Sequence, residues 1–197
     1  MKTSTAPTPI PRSDNRQAAL LDAAAQRFAR HGYAASSMRD IAVGAQMKAG
    51  SLYYHFASKE LMLVAVYEAG VQELEDAVAA ATAGLSEPWA RLEAACTAHL
   101  ETILRDSDYA QVLIRVLPQD VPLVAQRLRD LRARYEDRWQ ALVRALPLPP
   151  RTDRGTLRRM LLGALNWTHF WFVPGGTDSP RQLARKFVAF LKESHDV

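Results

Sequence analysis

The stretch YAASSMRDIAVGAQMKAGSLYYHFASKE, residues 33–60, decides the fold of this chain. Ser37 can cap a short helix over residues 38–44, because its side-chain oxygen can accept a hydrogen bond from a first-turn backbone N–H. Residues 45–47 then fit a tight turn, and a second helix begins at about Ala49. The segment is therefore predicted to form two short helices joined by a turn.

The second helix has an apolar face and a polar face. Leu52 and Phe56 lie four residues apart and share the inner face. The outer face carries small, hydroxyl-bearing and imidazole side chains, namely Gly50, Ser51, Tyr53, Tyr54 and His55. This is the layout of a helix-turn-helix, whose second helix lies in the DNA major groove and reaches base edges with its N-terminal residues.

This region resembles the TetR family of one-component bacterial transcriptional regulators. The matching segments are SMRDIA at residues 37–42, GSLYYHF at residues 50–56 and SKEL at residues 58–61, at the spacing the family uses. With the helix before them, they cover about residues 14–64, roughly a quarter of the chain. The family usually has Gly in the turn where this chain has Gln46, and Gln is less suited than Gly to a positive φ.

The formal charge of +4 is concentrated at the N-terminal end of the 197-residue chain. Residues 1–60 contain eight Lys and Arg and four Asp and Glu, and the remainder contains 17 of each sign. A module that contacts DNA phosphates requires such an excess. Improved solubility is the alternative explanation of the charge, and the neighbouring motif favours DNA.

The composition also bears on the compartment. One cysteine, Cys96, excludes an internal disulfide and suits a reducing cytoplasm. No signal-peptide pattern is present, and the longest apolar run, residues 160–173, is too short and too polar to span a bilayer. We therefore expect a cytoplasmic protein with no membrane partner. Residues 1–12, rich in Pro, Thr and Ala, are predicted to be a disordered tail.

Helical periodicity predicts an all-α chain of about nine helices. The resemblance assigns residues 13–60 to a helix-turn-helix head and residues 61–197 to a larger body for ligand binding and dimerisation. The predicted helices cover about residues 14–30, 38–44, 49–56, 58–83, 86–104, 109–117, 123–146, 153–173 and 179–191. Ser86 is the predicted cap of the fifth helix, and Ser179 with Gln182 forms a predicted capping box at the ninth.

The last two helices are the predicted dimer interface. In the family that the chain resembles, these helices of two subunits form a four-helix contact. Gly163 and Ala164 lie beside Trp167 and Trp171, which suits close helix approach with aromatic filling. The alternative is that this stripe packs only within one subunit.

Ten residues are candidates for contact with a double-stranded DNA operator. Those at helix starts or recognition-helix positions are expected to reach phosphates, sugars or base edges. They are Arg16, Ser37, Arg39, Lys48, Gly50, Ser51, Tyr53, Tyr54, His55 and Lys59. The resemblance implies phosphate or groove contacts for Tyr53, His55 and Lys59, and the alternative for either Tyr ring is packing under the head.

A ligand pocket is expected within the body, where the pockets of the family lie. The candidates are Trp89, Cys96, His99, Ile103, Tyr135, Trp139, Asn166, His169 and Phe170. Aromatic residues at helical spacing also suit a plain core. His99, Asn166 and His169 are stronger candidates, because a polar group on an apolar face needs a partner. Nothing basic beside Cys96 in sequence would activate it as a redox sensor.

The effector class is predicted from a second resemblance. Residues 163–176 and Ser179-Pro180 resemble the C-terminal region of TetR members that regulate fatty-acid or steroid breakdown, which implies an acyl-CoA effector. Six arginines between Arg127 and Arg144 could steer an anionic ligand or form a solvated helix face. The resemblance therefore favours a small, largely apolar effector that releases a repressor from its operator.

Enzymatic function is not expected, because the sequence has no phosphate-binding glycine loop, metal-ligand spacing or nucleophile elbow. No cofactor or metal is expected either. The alternative function is an architectural DNA-binding protein without an effector. An enclosed pocket of roughly several hundred cubic ångströms in the body would favour a sensor, and a solid core would favour the architectural protein.

Overall fold

The computed structural model describes residues 12–105 and 107–193. The predicted tail lies outside this range except for Arg12, which begins the first helix rather than ending a tail. The described part of the chain folds into nine α-helices and contains no strand, so the all-α prediction is confirmed. The helices are α1 Arg12–His31, α2 Met38–Gly44, α3 Ala49–His55, α4 Lys59–Thr82, α5 Pro88–Ile103, α6 Asp108–Arg115, α7 Ala125–Arg144, α8 Arg154–Trp171 and α9 Pro180–Glu193.

Side-chain caps set most of the helix starts. The Ser37 hydroxyl accepts a hydrogen bond from the Asp40 backbone N–H, and the Asp40 carboxylate accepts one from the Ser37 N–H in return. Ser58 caps α4 in the same manner. The cap of α5 differs from the prediction: Glu87 rather than Ser86 accepts from the first-turn N–H groups, because its carboxylate reaches both Trp89 and Ala90.

The head consists of α1, α2 and α3 around a small apolar core. Leu20, Phe28, Ile41 and Leu52 are fully buried there. Helix α1 lies against α2 within the head and against α4 and α6 of the body, so it braces α2 and joins the head to the body. Burial of Leu52 on the inner side of α3 leaves the opposite side of that helix facing solvent.

The body consists of α4 to α9. Helix α4 continues from the head and packs against α5, α6 and α7, while α9 lies on α5. Gly70 on α4 lets α6 approach closely, since a Cβ there would lie 3.1 Å from the Leu113 side chain and 3.2 Å from the Tyr109 carbonyl. Two 3-10 turns, Pro118–Asp120 and Pro122–Val124, join α6 to α7.

The turn between α2 and α3 carries a conformational strain. Gln46 has φ +55°, and among the described residues it is the only one other than glycine with positive φ. An L-residue with a Cβ is disfavoured in this left-handed region because Cβ approaches the following carbonyl oxygen. The turn therefore has the backbone that Gly would favour, although its residue is Gln.

We expect Gln46→Gly to stabilise the protein by about 0.5–1 kcal/mol, the balance of relieved strain and the greater unfolded-state entropy of Gly. Urea unfolding monitored by circular dichroism measures this difference. Gln46→Ala is the control: it keeps the Cβ at positive φ and should stay within about 0.5 kcal/mol of the parent. Equal stabilisation by Ala and Gly would contradict the strain argument.

Candidate DNA-binding surface and effector cavity

The outer side of α3 forms an exposed polar and aromatic surface. Tyr54 is 87% exposed and Tyr53 is 53% exposed, so neither ring is buried under the head. Lys48, Gly50 and Ser51 are exposed at the start of the helix, and the Lys48 side chain makes no cap hydrogen bond. His55 is half-buried at the end of α3 and meets Tyr54 edge to face. These side chains are accessible to the groove or the phosphate backbone of a DNA duplex.

The candidate DNA contacts on α1 and at the start of α2 differ in whether their side chains already make hydrogen bonds within the protein. Arg16 and Arg39 are exposed. The Ser37 hydroxyl is engaged in the cap of α2 and also donates to the Asp40 carboxylate at 2.8 Å. These hydrogen bonds hold the pKa of Asp40 below its usual range. Ser37 therefore has a structural function that is separate from its predicted contact with phosphate.

Lys59 is half-buried and folds back onto the head. Its ammonium donates to the carbonyl oxygens of Tyr33 and Ser36, at 3.0 and 2.9 Å, and lies 4.2 Å from the centre of the Tyr33 ring. The Tyr33 hydroxyl donates to Glu60 at 2.8 Å. The first turn of α4 thus holds the loop between α1 and α2, which the sequence interpretation of Lys59 as a phosphate contact did not predict.

The body contains a cavity of about 230 Å³. Its lining is mainly apolar, with polar groups from α4, α5, α7 and α8 among the apolar side chains. Five of the predicted pocket residues line it, namely His99, Ile103, Tyr135, Asn166 and Phe170. Leu117, Trp167 and Phe170 in the lining are also exposed, so they mark the mouth of the cavity.

Four predicted pocket residues lie outside this lining, which corrects their placement. Cys96 and Trp139 are fully buried core residues. Trp89 is half-buried beneath the ammonium of Lys192, 5.3 Å from its ring centre. His169 is half-buried with its ring against Phe170. Burial raises the pKa of the Cys96 thiol, which keeps it protonated and unreactive.

The sequence interpretation missed the contributions of α4 and α6 and most of that of α7. Tyr67, Val71 and Leu74 line the cavity from α4, and helical spacing does not distinguish a core residue from a lining residue. Arg132 was visible only as one of six arginines on α7. The missed lining residues are Tyr67, Val71, Leu74, Leu113, Ile114, Leu117, Arg132, Glu136, Leu162, Gly163 and Trp167.

A buried polar group lies in the cavity wall at His99. Its Nδ1 is 2.8 Å from the Tyr135 hydroxyl, while Nε2 is buried and has no hydrogen-bond partner among the described residues. The Asn166 side chain lies near the ring but makes no hydrogen bond of normal length and angle with it. Burial lowers the pKa of His99 to about 4, an effect that Asn166 opposes. The imidazole is therefore neutral at neutral pH.

Arg132 joins three helices at another part of the wall. Its guanidinium donates to the Tyr67 hydroxyl on α4 and to the Leu113 carbonyl on α6. Helix α6 in turn contacts the head, because Tyr109 donates to Asp22 at 2.8 Å and Arg115 donates to the Ala29 carbonyl at 2.9 Å. The cavity is thus connected to the head through both α4 and α6.

The outer sides of α8 and α9 carry exposed apolar side chains. Met160, Trp167 and Phe170 on α8 are each more than 60% exposed, and Trp171 is 47% exposed. Phe190 on α9 is 68% exposed. Exposed apolar side chains grouped along one helix, as on α8, are typical of interaction surfaces in folded proteins.

Among the residues that the structure describes, no helix is long and apolar enough to cross a membrane. The same residues contain no cluster of His, Cys, Asp and Glu that could hold a metal ion.

The fold and these surfaces define a helix-turn-helix regulator with a separate cavity-containing body. Comparison with known protein families supports the same class of protein. Residues 20–66 match the family described as "Bacterial regulatory proteins, tetR family", and residues 85–194 match "Tetracyclin repressor-like, C-terminal domain". The chain belongs to the TetR family of transcriptional regulators, as the resemblance indicated.

Named relatives include two regulators from mycobacteria. The HTH-type transcriptional repressor KstR2 of Mycobacterium tuberculosis is 28% identical over 185 residues, covering 90% of this chain and 92% of the relative. The HTH-type transcriptional activator FasR of Mycolicibacterium smegmatis is 37% identical over 98 residues, covering 50% and 44% respectively.

Solved structures share the fold. The structure of the ketosteroid transcriptional regulator KstR2 of Mycobacterium tuberculosis has a TM-score of 0.68 at 26% identity, covering 89% of this chain and 92% of that chain. AibR, crystallised in complex with isovaleryl coenzyme A and operator DNA, has a TM-score of 0.76 at 24% identity, covering 89% and 97%.

We expect Lys59→Met to destabilise the protein by about 1–2 kcal/mol, because the Tyr33 and Ser36 carbonyls lose a charged donor. Thermal and urea unfolding without DNA measure this effect. Lys48→Met is the matched control: its side chain is exposed, and the change should stay within about 0.5 kcal/mol. If both variants unfold like the parent, the hydrogen bonds of Lys59 do not stabilise the head.

Proposed function

We propose that this protein is a dimeric repressor that binds a palindromic operator and is released by a small, largely apolar effector, with acyl-CoA thioesters as the candidate class. The observation that carries the proposal is the cavity of about 230 Å³ whose wall includes α4 and α6, the two body helices that contact the head. An architectural DNA-binding protein has no need of such a cavity. The relatives named repressors support the direction of control.

The size of the cavity limits the part of the effector that is enclosed. An engineered cavity of about 150 Å³ holds one benzene ring, so 230 Å³ holds by proportion about nine non-hydrogen atoms. A short acyl chain or a single ring fits within this volume. The nucleotide part of a coenzyme A thioester would lie outside, beyond the mouth at Leu117, Trp167 and Phe170.

The DNA contacts are assigned by exposure. Ser51, Tyr53 and Tyr54 project from the outer side of α3, where a recognition helix meets base edges and backbone. Arg16, Arg39 and Lys48 are exposed cations that can neutralise phosphates. We keep Gly50 and His55 as groove contacts, and Ser37 and Lys59 as residues whose main function is to position the head.

Control follows from the connection between cavity and head. An effector that contacts Tyr67, Val71 or Leu74 acts directly on α4, and one that displaces Arg132 frees the Leu113 carbonyl at α6. A small rotation of these helices changes the separation of two recognition helices. Because successive major grooves on one side of the duplex are about 34–36 Å apart, the rotated dimer no longer fits its operator.

The dimer is assigned to the exposed side of α8 and α9. Met160, Trp167, Phe170 and Trp171 follow the helical period along α8, and Phe190 adds to them from α9. A two-fold contact buries the same patch of both subunits, so one apolar surface is sufficient. Packing within one subunit, the other interpretation of this stripe, leaves the exposure of these side chains unexplained.

We expect Met160→Asp to weaken the dimer by about 2 kcal/mol, or about 30-fold in dissociation constant, because the carboxylate loses its hydration at the interface. Light scattering across a dilution series measures the association. Leu123→Asp is the matched control: Leu123 is 86% exposed on a different surface, so its substitution should leave the dimer intact. A monomeric parent protein at micromolar concentration would refute the interface.

We expect an effector from a panel of acyl-CoAs, free fatty acids and aromatic acids to weaken operator binding about 5- to 150-fold, the usual range of allosteric coupling. Fluorescence anisotropy with an operator from the DNA flanking the gene measures this. Asn166→Phe should fill the cavity and reduce the response, and His169→Phe, outside the lining, should keep it. If no compound changes operator affinity, the architectural alternative is favoured.

A further inference from the structure

The wall of the cavity contains a buried polar atom that makes no hydrogen bond of normal geometry within the described residues, although the Asn166 side chain lies near the ring. His99 is fully buried, and its Nε2 has no hydrogen-bond partner among the described residues, although the ring lines the cavity. A buried polar group without a partner is costly, and native proteins seldom retain one without a function. The surrounding side chains determine what this atom can bind.

Tyr135 fixes the tautomer of His99. The Tyr135 hydroxyl makes one hydrogen bond in the described structure, the 2.8 Å contact with His99 Nδ1. If Nδ1 carried the proton, the buried hydroxyl would have no acceptor for its own hydrogen. Trp139, which packs on both rings, offers only an N–H and cannot accept it. The hydroxyl therefore donates to Nδ1, and the proton of the neutral imidazole is on Nε2.

We propose that His99 selects the effector by donating its Nε2–H to a neutral carbonyl oxygen in the enclosed part of the ligand. This deepens the proposed function, because it takes the cavity as the effector site. Asn166, also in the lining and neutral, can contact the same polar group. A carbonyl accepts this hydrogen bond without bringing a charge into a mainly apolar site.

A carboxylate is the less suitable ligand for this part of the wall. Because the ring is fully buried, the pKa of His99 is lowered and the imidazole is neutral, so it cannot neutralise an anion. The nearest cation in the lining, Arg132, already donates to Tyr67 and Leu113 and has Glu136 beside it in the wall. The geometry therefore favours a ketone or thioester carbonyl over a free acid.

The test uses probes that match the cavity volume, with affinities measured by ligand-observed NMR on the full-length protein without DNA. Acetophenone has about nine non-hydrogen atoms, the number that the cavity volume accommodates. Ethylbenzene lacks the carbonyl, and benzoate replaces it with a charge. We expect acetophenone to bind roughly 3- to 10-fold more tightly than ethylbenzene, the factor that one net hydrogen bond provides, and more tightly than benzoate. S-methyl thiobenzoate tests whether a thioester carbonyl is preferred to a ketone.

Variants separate selection from packing. His99→Phe should remove the preference for acetophenone while ethylbenzene still binds, and His99→Gln, which retains an N–H donor, should restore part of it. Tyr135→Phe should reduce the preference, because it no longer fixes the tautomer. His169→Phe, the same substitution as His99→Phe outside the cavity lining, should leave the preference unchanged.

A spectroscopic measurement gives an independent readout. Long-range proton–nitrogen correlation of the His99 ring should show the Nε2–H tautomer in the free protein and a shift of Nε2 when acetophenone binds. Equal affinity for acetophenone and ethylbenzene, tighter binding of benzoate, or absence of acetophenone binding would overturn the proposal. If acetophenone is selected but no effector alters operator affinity, the carbonyl site stands and the proposed regulation fails.

Discussion

Helix α4 belongs to the head and the body at once, and the rest of the molecule depends on this constraint. Its first residue, Lys59, donates to the Tyr33 and Ser36 carbonyls of the head. Two turns further on, Tyr67 lines the cavity and accepts a hydrogen bond from Arg132. A helix of 24 residues is about 36 Å long and moves largely as a rod, so a change at its middle is transmitted to the loop that Lys59 holds.

A second connection prevents the head from moving independently of the body. Helix α6 contacts α1 through Tyr109 and Arg115, and it approaches α4 closely at Gly70. The buried carboxylate of Glu75 on α4, paired with Arg134 at 3.1 Å, also fixes α4 to α7. The head and the body are therefore joined at several places, which the proposed control of the head by a ligand in the cavity requires.

Features that depend on local sequence patterns could be predicted from the sequence. Features that depend on packing between residues far apart in the chain could not. Helical spacing, most of the caps and the family resemblance were sufficient for the helix-turn-helix and for the nine helices of the described residues, although the cap of α5 was assigned to Ser86 instead of Glu87. The same spacing could not distinguish a core residue such as Trp139 from a cavity residue such as Tyr135, because both lie on the inner side of α7. Lys59 is a second example. A lysine at the start of a helix was predicted to be exposed and to contact a DNA phosphate, but its ammonium donates to two carbonyl oxygens of the neighbouring loop. Those acceptors come from residues 33 and 36, and only the folded chain brings them to α4.

Helix α8 relates the cavity to the proposed dimer. Trp167 and Phe170 line the mouth of the cavity and belong to the exposed apolar surface that we assign to the partner. A ligand shifts an equilibrium only by its difference in affinity for the two states. In a dimer whose interface includes the cavity mouth, that difference arises at two places, in the contacts with α4 and in the packing of Trp167 and Phe170 against the second subunit. On this proposal, an effector that extends through the mouth would alter the angle between subunits as well as the position of α4 within each, and both movements would change the distance between the recognition helices.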